Sequence, residues 1–399
     1  MKDFWIRLAP HRRAAVLELF FVYFELGVAV ILLGSVLPEL RENNGLSYAQ
    51  SGNLLSVQSI GFLLVGLVTG TAVLKAGMKR AYVLFIAALP AGLLMLIAGG
   101  PYAFLLLAML LVGVSKGAIT DYNNRVMSDY ADGAAAPLNV LHMFFAAGAC
   151  LAPFLALLTA SLFGGKGWLA ALFFAFLLAA AAVVFGLFVK MDLKSVSASA
   201  AETASPGPEK GLGFFRDPLY LWTQLMGICD QALEASLMGW LTTFYLNSGV
   251  IGSRTAQLVT SLLWFAFLAG RFLCSLIAGK WRPSRMLLFM GCGSALFMTL
   301  LCAAGSAPLL LAATIGLGLC LSGVYGTAVS NASHIFSEYP SAMGLYVTIS
   351  GIGGAAAPAL IGLVADRSSV RAGFVVLAVL ACVLALAVIM NLLLLARRK

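Results

Sequence analysis

Apolar residues run along this chain in long blocks, interrupted by short polar connectors. A helix needs about 20 apolar residues to cross the hydrocarbon core of a bilayer. Twelve runs reach that length, near 15–37, 48–74, 81–99, 102–129, 138–162, 168–190, 218–246, 255–279, 285–304, 307–334, 342–364 and 370–395. The breaks between them carry helix-ending residues: Pro38, Gly77, Gly100-Pro101, Pro137, Gly164-Gly165, Pro283, Pro308 and Pro340. The pattern predicts an all-α polytopic membrane protein of twelve spanning helices.

One stretch breaks the rhythm. Residues 191–216 are rich in Ser, Ala and Pro, the composition of a linker. They divide the chain into residues 1–190 and 217–399, each with six runs. The halves also share local patterns. Gly148 and Ala152-Pro153 match Gly353 and Ala357-Pro358 at an offset of 205. Ala49-Gln50 matches Ala256-Gln257 and Asn124 matches Asn331, both at 207, and Glu25 matches Glu234 at 209. An offset that recurs within a few residues predicts two six-helix bundles related by a pseudo-two-fold axis along the membrane normal, with a substrate site near mid-depth.

Connector charge predicts the orientation. With the N-terminus in the cytoplasm, eighteen Lys and Arg fall on the cytoplasmic side and five on the outer side. Lys116 and Arg271 remain inside apolar runs. The opening basic residues, followed by a long run with no short cleavable segment, read as a retained first span in the cytoplasmic (inner) membrane, with both termini cytoplasmic.

Composition agrees with lipid as the solvent. Of 399 residues, 61% are hydrophobic and only 10% charged, too few charges to cover a soluble fold. The net charge of +9 is spread over connectors rather than gathered on one surface, which argues against nucleic acid as a partner. Seven cysteines lie within apolar runs and form no CxxC pair, so neither a disulfide nor a metal site is expected. HExxH and GxxxxGK[ST] are absent from the sequence, so no cofactor and no enzymatic role are implied. Gly66 and Gly70 form a GxxxG, read as a helix-packing face.

Two six-span halves, the cytoplasmic linker and the inward-positive connectors resemble the major facilitator superfamily. Its loop motif after the second span is present in altered form as Gly70-Thr71-Ala72-Val73-Leu74-Lys75-Ala76-Gly77-Met78-Lys79-Arg80, with Leu74 at the usual acidic position. Gly113 to Gly117, Asn124, and Leu138 through His142 and Phe145 to Gly148 and Pro153 are similar to the fucose-permease-like sugar transporters, as is Glu234 with Trp240 six residues on. The resemblance implies a secondary transporter working by alternating access, with a sugar as substrate and proton symport as the default coupling. His142 stands where that pattern has a sugar-binding glutamine. Two acidic positions of the pattern are neutral here, Gly34 and Thr120.

Ionisable groups at membrane depth cost several kcal/mol and face a cavity or a partner. Glu25 lies midway along the first run and is expected to bind substrate or protons, or to bond a neighbouring helix. Glu18 lies nearer the cytoplasmic end, where snorkelling to water is expected. Asp230 and Glu234 share a helix face at i, i+4. Two carboxylates so close resist ionising together, so the pair is expected to hold a proton. Lys116, Asn123 and Asn124 form a polar stripe suited to hydroxyl-rich ligands, and Lys116 is expected to reach Glu25. His142, Trp240, Tyr325 and Asn331 complete the expected substrate set. Asp121, Arg125 and Asp129, four residues apart, read as gating ion pairs. Lipid, a small-molecule solute and protons are the expected partners, and a monomer the expected state. The competing readings are proton-coupled drug or metabolite efflux, a membrane enzyme acting on lipid-linked substrates, and a non-transporting sensor.

Overall fold

A computed structural model describes residues 2–66, 68–131, 135–191, 211–278 and 280–397. It is helical throughout, with no strand among the described residues. The apolar runs become helices that we number in order. In the first half these are α1 (Pro10–Ser35), α2 (Tyr48–Gly66, continued by Thr69–Ala76), α3 (Met78–Ile86 and Ala88–Ala98), α4 (Tyr102–Tyr130), α5 (Ala135–Phe163) and α6 (Gly167–Phe188). In the second they are α7 (Pro218–Asn247), α8 (Ser253–Ile277), α9 (Pro283–Ala303), α10 (Ala307–Leu321, then Val324–Asn331), α11 (Pro340–Arg367) and α12 (Val370–Arg397). By length and composition, nine helices among the described residues can cross a membrane, ten if the bent α2 counts as one.

By internal packing the chain forms two compact units. One comprises Met1–Asn44 and Val57–Gly207, the other Gly45–Ser56 and Pro208–Lys399. The first turns of α2 thus pack with the second unit. There Asp366, near the end of α11, accepts hydrogen bonds from the backbone N–H groups of Tyr48 (2.7 Å) and Ala49 (2.8 Å). These are orphan donors of a helix N-terminus, and a carboxylate satisfies both their hydrogen bonding and the helix dipole.

In the first unit α1 packs most extensively on α5, and in the second α7 packs on α11. Glycine makes both contacts possible. A Cβ on Gly148 would collide with the Phe24 carbonyl oxygen, and one on Gly353 with that of Ile228. The 205-residue offset therefore marks equivalent helix contacts, and the proline that follows each glycine, Pro153 or Pro358, lies inside its helix.

One expectation changes. A Cβ on Gly66 or Gly70 would meet nothing within 4 Å, so that GxxxG is not a packing face here. Close approach on α2 is carried instead by Gly61, whose added Cβ would stand 2.6 Å from the Leu110 carbonyl oxygen of α4. The segment read as a linker lies mainly outside the described residues. Its end is ordered: Phe214 packs edge-on to Tyr220 (4.8 Å) and Tyr339 (5.6 Å), and Asp217 caps α7 by accepting from the Leu219 N–H at 2.9 Å.

Candidate functional site

Each unit holds one cluster of polar side chains at membrane depth. In the first, Tyr23 of α1 is the hub. Its ring meets His142 of α5 edge-on, with centroids 5.4 Å apart. Its hydroxyl donates to the Thr120 carbonyl oxygen of α4 at 3.4 Å and is joined by hydrogen bonding to Asn124. The Asn124 Oδ1 is buried with no hydrogen-bond partner. The Lys116 ammonium lies one turn before Thr120, 5.4 Å from the centroid of Phe62. A phenol, an amide and an imidazole gathered on three helices offer donors and acceptors in both senses, which suits a ligand bearing several hydroxyls.

Several expected residues are occupied elsewhere. Asn123 is fully buried, and its Nδ2 donates to the Leu19 carbonyl oxygen at 3.1 Å, tying α4 to α1. Glu25 is buried, and its Oε2 has no hydrogen-bond partner. Glu18 does not snorkel: it is 0% exposed, and neither carboxyl oxygen has a hydrogen-bond partner. Seven residues separate Glu18 from Glu25, which is close to two full turns, so both lie on one face of α1. Toward the end of α4, Arg125 pairs with Asp121 at 3.5 Å, both side chains about one-third exposed, and Asp129 follows one turn later.

In the second unit the centre is α7. Asp230 is buried, and Glu234, one turn on, is half-buried. Arg271 of α8 lies within electrostatic reach of Asp230, while its Nε donates to the Ser322 carbonyl oxygen at 3.3 Å and its guanidinium lies 5.3 Å from the Phe267 centroid. Tyr325 of α10 lies within electrostatic reach of both carboxylates, and its ring packs on Tyr346 of α11 at 5.3 Å. The Tyr346 hydroxyl is buried without a hydrogen-bond partner. Burial of Asp230 beside Glu234, with a cation close by, makes a site where a proton and a positive charge compete for one carboxylate.

Two residues expected near substrate belong to packing here. Trp240 is fully buried, and its indole N–H donates to the Pro358 carbonyl oxygen at 3.1 Å, fixing α7 to α11. Asn331 donates to the Asn391 Oδ1 at 2.9 Å, and Asn391 in turn donates to the Thr223 hydroxyl at 3.2 Å, a network that joins α10, α12 and α7. Sequence reasoning missed Tyr23 and Tyr346, since a tyrosine in an apolar run reads as core. Arg271 was visible as a cation inside an apolar run, but its nearness to Asp230 required the fold.

Two bundles of apolar helices, each with charged and amide side chains held at mid-depth, define a polytopic membrane transporter. A model of the Major Facilitator Superfamily matches residues 19–253 and 237–399, so the chain belongs to that superfamily. Solved structures of the same fold include a D-xylose-proton symporter (14% identity, 96% of this chain and 97% of that one, TM-score 0.75). Others are the nucleoside transporter NupG (14% identity, 96% and 99% covered, TM-score 0.73) and a bacterial homologue of the human lysosomal transporter Spinster (13% identity, 96% and 97% covered, TM-score 0.73). At these identities the likeness is one of fold. Comparison by sequence with curated proteins finds no match.

Proposed function

We propose that the chain is a secondary active transporter that carries a small hydroxyl-rich solute, a sugar, across the cytoplasmic membrane by alternating access of its two halves, residues 1–190 and 217–399, with protons as the coupling ion. The observation that carries this reading is the meeting of Tyr23, Asn124 and His142 on three helices of the first unit. Asn124 and His142 are two of the residues on which the likeness to fucose-permease-like transporters rests, and Tyr23 brings them together. The fold shared with a D-xylose-proton symporter supports the same substrate class.

In this reading Tyr23, Lys116, Asn124 and His142 bind the solute, and Glu234 and Tyr325 are further candidate ligands. Asp230 and Glu234 exchange the proton, with Arg271 opposing protonation of Asp230. Asp121, Arg125 and Asp129 hold the inner gate. The N- and C-termini lie in the cytoplasm, and one chain suffices for transport.

The test begins with the purified protein and a thermal-stability screen of monosaccharides, with amino acids, nucleosides and cationic drugs as controls. A ligand that binds the folded state raises its apparent stability by mass action. Stabilisation by one sugar, followed by accumulation of that sugar in vesicles only under an inward proton gradient, is the expected result. Stabilisation by cationic amphiphiles alone would replace sugar uptake with efflux.

A further inference from the structure

Glu18 has no role in the polar clusters described above, and its side chain is enclosed by the first unit. It is 0% exposed, and neither oxygen has a hydrogen-bond partner. It lies on the side of α1 that meets α3 and α6. A Cβ built on Gly186 of α6 would stand 3.1 Å from the Glu18 Oε1, 3.2 Å from Ile86 and 3.6 Å from the Tyr82 ring. Glu18, Tyr82 and Ile86 thus converge on one point, and only a glycine leaves α6 room to approach. Tyr82 is likewise 0% exposed, with a hydroxyl lacking any partner.

The groups facing this point are few. From α3 come Tyr82 and, at the rim, Lys79, whose ammonium is bonded to the Leu187 carbonyl oxygen at 2.6 Å. From α6 comes the backbone at Gly186. From α4, Asn123 is held on the Leu19 carbonyl oxygen, and Tyr122 packs edge-on to Tyr82 at 6.2 Å. From α5, His142 packs on Tyr23, which lies about 140° around α1 from Glu18. On α1 itself Glu25 follows two turns later. No cation bonds the carboxyl, and the second charged group in range is another acid.

A carboxylate cannot be held in such a place as an ion, because neither water nor a donor replaces its hydration. The neutral acid loses far less on enclosure. We propose that Glu18 is a proton-binding site of the transport cycle, carried as a neutral carboxylic acid between α1, α3 and α6 and separate from the Asp230–Glu234 pair. Binding adds one proton to one carboxylate oxygen. Release requires α6 to draw back from α1 at Gly186, admitting water to hydrate the ion. The role in transport rests on the proton-coupled reading above, whereas the protonation itself does not.

The test is infrared spectroscopy of the purified full chain in lipid at neutral pH, in light and heavy water, for wild type, Glu18→Gln and Glu25→Gln. The expected result is an isotope-sensitive carbonyl absorption of protonated acids that loses one component in Glu18→Gln, a component that persists in Glu25→Gln. Spectra of wild type and Glu18→Gln that superimpose in this band overturn the proposal. If Glu18→Gln does not fold, Gly186→Ala serves instead: its methyl presses on Oε1 and is expected to shift the band, and an unshifted band is equally decisive against. In vesicles, Glu18→Gln is expected to keep solute exchange and lose accumulation against a gradient, and wild-type accumulation overturns the coupling role. A wild-type protein that moves no sugar sinks the sugar reading, while the infrared comparison is decided without any substrate.

Discussion

Tyr23 shows how one side chain changes the meaning of its neighbours. Asn124 and His142 are eighteen residues apart in the sequence and were legible as candidates through their resemblance to a sugar-transporter pattern. What the sequence withheld was the phenol between them, because nothing in a run such as Phe20–Leu26 distinguishes an aromatic that packs from one that binds. Tyr23→Phe removes a hydroxyl bonded to Thr120 and Asn124 while keeping the ring against His142. One hydrogen bond nets about 1 kcal/mol, so the variant is expected to lose about that much stability and, with the hydroxyl no longer available to the solute, about fivefold in sugar affinity. Unchanged affinity would remove Tyr23 from the site. Across α7, Glu234→Gln is expected to abolish accumulation under a proton gradient while sparing exchange of labelled for unlabelled solute. Full accumulation by that variant would move the proton elsewhere. Asn123, Trp240 and Asn331, candidates from the sequence, are all engaged with the protein for one reason: an amide or indole at membrane depth must bond something, and backbone carbonyls or a second amide serve as well as substrate.

At the scale of helices, the hydropathy pattern gave the spans and their order, because period and length are properties of the sequence itself. The lengths of the runs did not give the interruptions of α2, α3 and α10, although Pro90 stands three residues after the break in α3 and Ser322-Gly323 occupy the break in α10. Nor did they reveal which glycines are closely packed, since that depends on what stands opposite. Gly148 faces the backbone of α1, whereas Gly66 and Gly70 face open space. Gly148→Ala is therefore expected to cost about 1–3 kcal/mol, as overpacking does, and Gly66→Ala to leave stability intact or raise it. Thermal unfolding of the two variants in the same detergent makes the comparison, and equal midpoints would contradict the packing described. The capping of α2 by Asp366 gives a second test. Loss of an N-terminal cap costs about 0.5–2 kcal/mol, so Asp366→Ala is expected to lower the unfolding midpoint, with Asp366→Asn, which keeps an acceptor, falling between the variant and wild type.

For the whole molecule, lipid explains what water could not. Large apolar side chains stand outward, Phe188 at 80% and Leu84 at 69% exposure, while acids and amides such as Glu18, Glu25, Asn123 and Asp230 are buried. The few charges of this chain stand mainly in connectors, with a few acids buried inside the units. The bias of eighteen basic residues against five concerns topology rather than fold, and it can be checked without knowing the substrate. A fluorescent reporter that matures only in the cytoplasm is expected to shine when fused after Lys399 and to stay dark when inserted in the connector at Gly164-Gly165. A periplasmic phosphatase reporter at the same two places is expected to give the opposite result. Cytoplasmic signal from the Gly164-Gly165 insertion would invert the arrangement, place the Asp121–Arg125 end of α4 on the outer side, and turn the proposed inner gate into an outer one.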